Sequence, residues 1–427
     1  MTFGQSPPFL RTSPPGPRAS GLIDLLAETE CPAFTARRAR RAEASGAPQD
    51  PIVWARAKGS NVEDVDGNVY VDLTSGFGVA AIGHAHPRVV EAVRNQSERL
   101  LHGLGDLHPS DVKIDLLQTL CRLAPFANAR GILSLSGADA VESALKTAVL
   151  ATGRAGVVAF DRGYHGLSHG PLAVTGYAPA FRTPFQAQLN PHVRFAPYPA
   201  PDADVAASLA AVDLAMDDQI GAILVEPIQG RGGVHIPPAG FLEGLADLAH
   251  RHGALLIVDE ILTGLGRCGV RWRSADHADL LCVGKALGGG LPVSACLGRP
   301  EVMAAWGSPD GEAIHTGTFF GHPLGCAAAL AALQVLDEEG LAARARSIGE
   351  RFMADLRGAD FDVVGEGLMI GVRWPTAVLG VVRSLLEAGY LALPAGSDAR
   401  TLQLAPPLTI DSSLLEGFVR TLGTLRP

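Results

Sequence analysis

The sequence predicts an α/β protein: a large unit built on a mostly parallel sheet with helices on both faces, and a smaller α/β unit beside it. Short apolar runs alternate with stretches of helical composition, which is the pattern of strand–helix–strand units. Polar residues stand at the ends of four such runs, at Ser136, Glu226, Asp259 and Lys285. Open parallel sheets bind ligands at that edge. Finally, 427 residues exceed one comfortable core, so one large and one small domain are expected.

In chain order, residues 1 to about 20 carry five prolines, at 7, 8, 14, 15 and 17, and read as a loose arm. Thr35 to Ala44 holds Arg37, Arg38, Arg40 and Arg41. The run is short and Glu43 interrupts it, so a solvated helix face is expected rather than a nucleic-acid patch. Ile52–Ala55, Val62–Val65 and Val69–Leu73 read as strands, with a hairpin turn at Asp66-Gly67. A Gly-rich loop follows from Ser75 to Gly78, and Arg88 to Leu101 reads as a helix. His84 and His86 have ligand-like spacing, but no acid or cysteine lies near in sequence, so they are expected to be loop histidines with no metal.

Ile132–Leu135 is a strand, Val141–Leu150 a helix, and Ser136-Gly137-Ala138 the turn between them. Free N–H groups and the helix dipole make such a turn an anion site. Gly156–Phe160 is the next strand, followed by Tyr164-His165-Gly166. Residues 171–203 are Pro-rich and aperiodic, and read as a long ordered loop over a site. Ile220–Val225, Ala254–Val258 and Leu280–Val283 are strands, and Phe241–His250 is a helix. Beyond Phe319 helices are expected at Leu324–Asp337 and Leu341–Leu356, with strands at Met369–Trp374 and Thr401–Leu404. The expected division is 1–65, an arm and part of the small domain; 66–323, the large domain; and 324–427, the rest of the small domain.

Composition narrows the function classes. A net charge of −9 gives no reason to expect nucleic acid. No apolar run approaches the roughly 18 residues of a membrane span, and the N-terminus lacks a signal pattern. Six cysteines without CxxC spacing suggest free thiols in a reducing cytoplasm. Only four lysines remain in a chain rich in arginine, at 58, 113, 146 and 285. Lys285 follows a buried strand and precedes Gly288-Gly289-Gly290. Two readings stand: a surface lysine at a strand end, or an amine retained because arginine cannot lose its proton.

Together these groups suit pyridoxal phosphate (PLP), which needs a phosphate cradle, an aldehyde partner and an acid opposite its ring nitrogen. Lys285 would form the Schiff base and serve as the base for a 1,3-proton shift. Asp259 would keep the ring nitrogen protonated. Ser136, Gly137 and Ala138 would hold phosphate, and Tyr164 would stack on the ring. His165 and His315 would shape the pocket, and Glu226 would fix backbone or cofactor hydrogen bonds.

These residues lie in stretches that resemble the class III aminotransferases of PLP fold type I, the ornithine, acetylornithine, 4-aminobutyrate and amine transaminases. The stretches include DGNVYVDLTSGFGVAAIGHAHP at 66–87, SGADAVESALKTA at 136–148, YHG at 164–166, GKALGGGLPVSA at 284–295 and HTGTFFGHPLGCAAALAAL at 315–333. The resemblance implies that Lys285 is the Schiff-base lysine and Asp259 the ring-nitrogen partner. It implies that Thr318 reaches the phosphate of a neighbouring subunit, hence a homodimer with shared sites, and that Phe77 and Gly78 line the substrate pocket.

Three positions depart from the family pattern. Leu262 stands where Gln often meets the cofactor hydroxyl. Gln403, with Arg400 nearby, stands where many members grip a carboxylate with Arg. Arg231 stands where those members place the acid that pairs with that Arg. Arg231 either binds a substrate carboxylate or points to solvent at the cleft rim. The expected activity is transfer of an amino group between an amine or amino acid and an oxo acid, aldehyde or ketone. Mutase, epimerase and decarboxylase chemistry on the same scaffold is the alternative. A PLP-binding DNA regulator is disfavoured, because residues 1–50 are too short and Pro-rich for a winged helix.

Overall fold

The computed structural model describes residues 2–307 and 312–425. Its centre is a seven-stranded sheet in the order Arg130–Ser134, Ser294–Gly298, Leu280–Val283, Leu255–Asp259, Ile220–Val225, Gly156–Phe160, Val193–Ala196. Ser294–Gly298 runs antiparallel to both neighbours. The other six therefore point their carboxyl ends to one edge.

Alternation along the strands explains the layering. Val158, Ile223, Val225, Leu256, Val258, Leu281 and Val283 face one core, where Phe241, Leu245 and Leu248 of the helix Phe241–Arg251 cover them. Val157, Ala159, Ala222, Leu224, Ile257 and Leu280 face the other, where Ala140, Val141, Ala144 and Ala148 of the helix Gly137–Thr152 cover them. With both faces dry, the strands need continuous apolar runs, and all six residues of Ile220–Val225 are buried.

A second sheet is antiparallel, in the order Asp362–Glu366, Met369–Arg373, Thr401–Leu404, Leu393–Ala395. A third joins Trp54–Lys58, Asn61–Asp64 and Val69–Asp72 to Tyr390–Leu391, which pairs parallel to Val69–Asp72. The N-terminal hairpin thus completes its sheet with a strand from the far end of the chain.

The first residues are not a loose arm. Gly4 N and Ser6 N donate to Asn61 Oδ1 at 2.9 and 2.7 Å, and Arg11 N and Thr12 N to Asn68 Oδ1 at 2.7 and 2.9 Å. Asp66 accepts from Arg18 N and Ala19 N at the start of the helix Pro17–Thr29. Proline removes regular structure, but three side chains of the 61–68 hairpin supply acceptors for the amides that remain. Residues 171–203 are ordered as expected, yet they also hold the edge strand Val193–Ala196. The helix Val205–Asp213 and the strand Ser294–Gly298 lie where no element was expected.

Candidate active site

The carboxyl edge of the seven-stranded sheet gathers the expected polar groups. Asp259 ends its strand with a side chain 4% exposed; one oxygen meets His165 Nδ1 at 2.8 Å and the other accepts from Ile261 N at 3.0 Å. Burial works against the His165 imidazolium, but the Asp259 bond and the charges of Asp259 and Glu226 prevail and raise it.

Lys285 opens the turn after Leu280–Val283 with φ of +43°. A side-chain-bearing residue in that region is strained, and such strain gathers where a side chain must be aimed. The Lys285 side chain stands half-buried beside Gly78 and Leu262: a Cβ on Gly78 would meet Leu262 Cδ1 at 2.8 Å and Lys285 Cδ at 3.6 Å. Desolvation lowers the Lys285 ammonium; Asp259 and Glu226 oppose this, and Arg231 and Arg267 add to it. The net shift is toward the neutral, nucleophilic amine.

Ser136 caps the helix Gly137–Thr152 and Asp139 caps back, a reciprocal capping box. The amides of Gly137 and Ala138 point out of the helix without a protein acceptor among the described residues. Close packing surrounds them. A Cβ on Gly137 would meet Ile261 Cδ1 at 2.8 Å, and one on Gly166 would meet the Ala138 Cβ at 2.8 Å. Two free amides at a helix start, walled by glycines, fit a phosphate. A buried carboxylate oriented by His165 fits a pyridine nitrogen, and a lysine whose ammonium is lowered by burial fits an aldehyde. On these grounds the residues present fit PLP.

Glu226 is buried and accepts from Tyr164 N at 2.9 Å and Gly230 N at 3.1 Å. It therefore ties the Tyr164 loop to the 229–235 hairpin, as expected of a backbone-fixing acid. Burial raises its carboxyl, and His165 and the two amides hold it down. His315 bonds to Ser143 Oγ at 2.8 Å and to Lys146 Nζ at 3.2 Å beneath the 137–152 helix. Among the described residues no His, Cys, Asp and Glu cluster could hold a metal.

The rim is built differently. Arg231 lies over the rings of Tyr164, Tyr177 and Phe181 at 4.4, 5.0 and 5.8 Å. Gln403 is near: a Cβ on Gly230 would stand 3.6 Å from its Nε2 and 2.3 Å from Leu262 Cδ2. Arg400 lines a separate cavity with Arg162 and Arg373. Thr318 is exposed and borders a small pocket with Lys113 and His322, apart from Lys285. Ser75, Gly76, Phe77 and Gly78 are all left-handed, with φ of 48°, 55°, 64° and 83°.

Sequence reasoning missed what holds that last segment. The buried Asp72 accepts from Thr74 N, Thr74 Oγ1 and Gly76 N and meets His84 Nε2 at 2.8 Å. An Asp two residues before a Thr-Ser-Gly turn is an Asx-turn signal that could have found it. Arg267, fully buried, donates to Leu368 O and Pro406 O at 3.1 and 2.5 Å; burial lowers it to about 10. Nothing local marks it. Arg41 is exposed on the helix Pro32–Ser45, as the solvated-face reading expected, and the charges it feels include those of Tyr177 and Arg231.

A family model described as aminotransferase class-III matches residues 43–424. Acetylornithine aminotransferase of Methanopyrus kandleri is 38% identical over 373 residues, 86% of this chain and 92% of that protein. The enzyme of the same name from Corynebacterium efficiens is 39% identical over 388 residues, 88% and 92%. Among solved structures, ornithine aminotransferase of Toxoplasma gondii superposes with a TM-score of 0.79 at 32% identity, covering 88% of this chain and 90% of that one. An amine transaminase from an uncultivated Pseudomonas species, PLP-bound, gives 0.80 at 28%, covering 88% and 94%.

Proposed function

The chain belongs to the class III aminotransferases, and from that premise we propose which residues carry the reaction and what kind of substrate they select. It is a PLP-dependent transaminase of fold type I, exchanging an amino group between an amine or amino acid and an oxo acid, aldehyde or ketone. PLP, when bound, supplies the aldehyde and an electron-accepting ring. Lys285 would hold it, and its Nζ, once released, would carry the proton from the donor's amino-bearing carbon to what had been the aldehyde carbon. Asp259, fixed by His165, keeps a proton on the ring nitrogen. The Gly137 and Ala138 amides, with the Ser136 turn, hold phosphate. Tyr164 covers the ring face.

Thr318 stands away from Lys285 in its own chain, which supports its serving the phosphate of a second copy. Exposed Leu101, Leu104, Leu107, Ile314 and Phe319 supply an apolar surface for that copy. We therefore read the enzyme as a homodimer. Four of its six free thiols are buried, which suits a reducing cytoplasm. No helix among the described residues is long and apolar enough to cross a membrane.

On substrate, one observation supports a carboxylate-bearing class: Arg231 has no carboxylate partner among the described residues and sits over three aromatic rings. A cation held among rings but without an acid partner is positioned yet electrically unsatisfied, so a carboxylate on the substrate completes it. Leu262 and Gln403 leave the inner wall uncharged. The relatives named for acetylornithine make that amino acid the first donor to test. Donor use is read from bleaching of the cofactor's visible band across a panel of amines and amino acids. Arg231→Ala should raise KM for carboxylate acceptors about tenfold or more, the worth of a charge-assisted pair, and leave aldehyde acceptors unchanged. Equal effects on both would remove Arg231 from the substrate site.

A further inference from the structure

Behind the 229–235 hairpin lies a cavity of about 290 Å³ that the transamination site does not use. Its walls carry Arg162, Arg373 and Arg400, with His235, Trp374 and Asp398. Lys285, Tyr164 and Arg231 are not among its lining residues. None of the three guanidinium groups has an ion pair among the described residues; Arg162 Nη2 donates only to Tyr198 O, at 2.8 Å. Asp398 is the lone lining carboxylate, and it is engaged in accepting from Arg400 N at 3.2 Å. Three permanent cations thus face one acid across a small concave space.

The neighbouring histidine registers that field. Burial lowers His235 to about 4, and Arg162 and Arg373 contribute to it against the Gly232 carbonyl and Asp398. His235 stays neutral near pH 7, with its Nε2–H donated to the Gly232 carbonyl, so it adds no charge of its own to the cavity.

The walls are also connected to the active site. Arg162 lies two residues before Tyr164, Gly232 follows Arg231, and Thr401 lies two residues before Gln403. Arg162 and Ala399 have φ of +67° and +53°. A Cβ on Gly232 would stand 2.7 Å from Arg162 O, so only glycine allows the hairpin tip to approach that wall. Gly396 N donates to Arg231 O at 2.9 Å, and Tyr177 Oη donates to Gly396 O at 3.1 Å. Each wall is therefore the far side of a loop that presents a rim residue.

We propose that this cavity is a second binding site, for a free small oxyanion carrying two or more negative charges, of the phosphate or polycarboxylate class. By drawing its three arginines together, such an anion sets the loops that present Tyr164, Arg231 and Gln403. Binding stands on the cavity alone. The coupling to substrate rests on the reading of Arg231 given above, and the two are separable by experiment.

The test is calorimetric titration of PLP-loaded enzyme with inorganic phosphate and with citrate, at fixed ionic strength. Saturable binding of at least one is expected, weakened about tenfold or more in Arg373→Ala and less in Arg373→Lys, as loss of a charge-assisted contact requires. Thermal unfolding and the cofactor spectrum of both variants should match the parent, which guards against a folding defect. No saturable binding of either anion, or unchanged binding in Arg373→Ala, overturns the site. Steady-state kinetics at increasing anion supplies the second arm. A KM that moves to a plateau supports a separate, coupled site. A KM that rises without limit means that anion and substrate share one place, and overturns it. Anion binding with no change in KM keeps the site and removes only the coupling through Arg231.

Discussion

The floor of the cleft and its rim are made by different rules. The floor is Asp259 and Lys285, at strand ends of a sheet covered on both faces, with His165 brought against Asp259 by the loop after Gly156–Phe160. The rim is Phe77, Gly78, Arg231 and Gln403, carried mostly by loops, several of whose residues have positive φ. On the floor, packing fixes the backbone and electrostatics tunes the side chains. At the rim, single hydrogen-bonding residues such as Asp72 and Glu226 fix the backbone, and the side chains are left to meet a substrate. The floor should therefore treat all donors alike, and the rim should sort them.

The largest test of that contrast is Lys285→Ala. Loss of the base should lower turnover about a thousandfold or more, by the same factor for every donor that the parent accepts. Single-turnover bleaching of the cofactor band measures it. A loss that varied strongly among donors would place selection on the floor and erase the distinction.

His165→Gln comes next. It removes the partner of a buried carboxylate, worth about ten- to a hundredfold in turnover, again uniformly across donors. It also carries a pH signature. The folded protein raises His165 above the ordinary 6.5, so it holds that proton more tightly than the unfolded chain does. The resulting stability is full below pH 6.5 and is lost as pH rises through the raised value. Thermal unfolding of the parent minus that of the variant should shrink over that window. A difference that grew with pH would mean that His165 is neutral in the fold.

The same contrast explains what was legible in the sequence. Ile220–Val225, Leu280–Val283 and Thr401–Leu404 agree with their expected bounds, because buried strands write themselves as apolar runs. Lys285 and Asp259 were legible because a polar residue ending such a run is conspicuous. Ser294–Gly298 was not, since SACLG has too little apolar bulk to stand out beside the glycines before it. Val193–Ala196 is an edge strand in a Pro-rich stretch and gave no periodic signal. The rim was least legible of all. Where Arg400 goes depends on contacts distant in sequence, and local composition does not record them.

Gly78→Ala probes where rim meets floor. The new methyl would sit 2.8 Å from Leu262 Cδ1 at a φ of +83°. Strain and overlap together should raise KM about tenfold, most for the bulkiest donors. Gly78→Ala with Leu262→Ala relieves the overlap but not the backbone strain, so recovery should be partial. Full recovery would show that the left-handed turn costs nothing.

Arg41→Ala should have the smallest effect, and its salt dependence decides what Arg41 does. Burial lowers Arg41, Arg37 lowers it further, Tyr177 raises it, and Arg231 lowers it again. It is therefore an exposed cation within electrostatic range of Arg231. Removing it relieves repulsion on Arg231 while weakening the field that draws in an anionic substrate. The two effects oppose, so KM for carboxylate acceptors should rise only about two- to threefold at low salt. Screening shortens to about 3 Å near 1 M salt, and the difference from the parent should vanish there. A contact between Arg41 and the substrate would survive salt. Persistence of the difference at high salt would therefore move Arg41 from steering into the binding rim itself, and the boundary of the selecting region would run through the N-terminal helices.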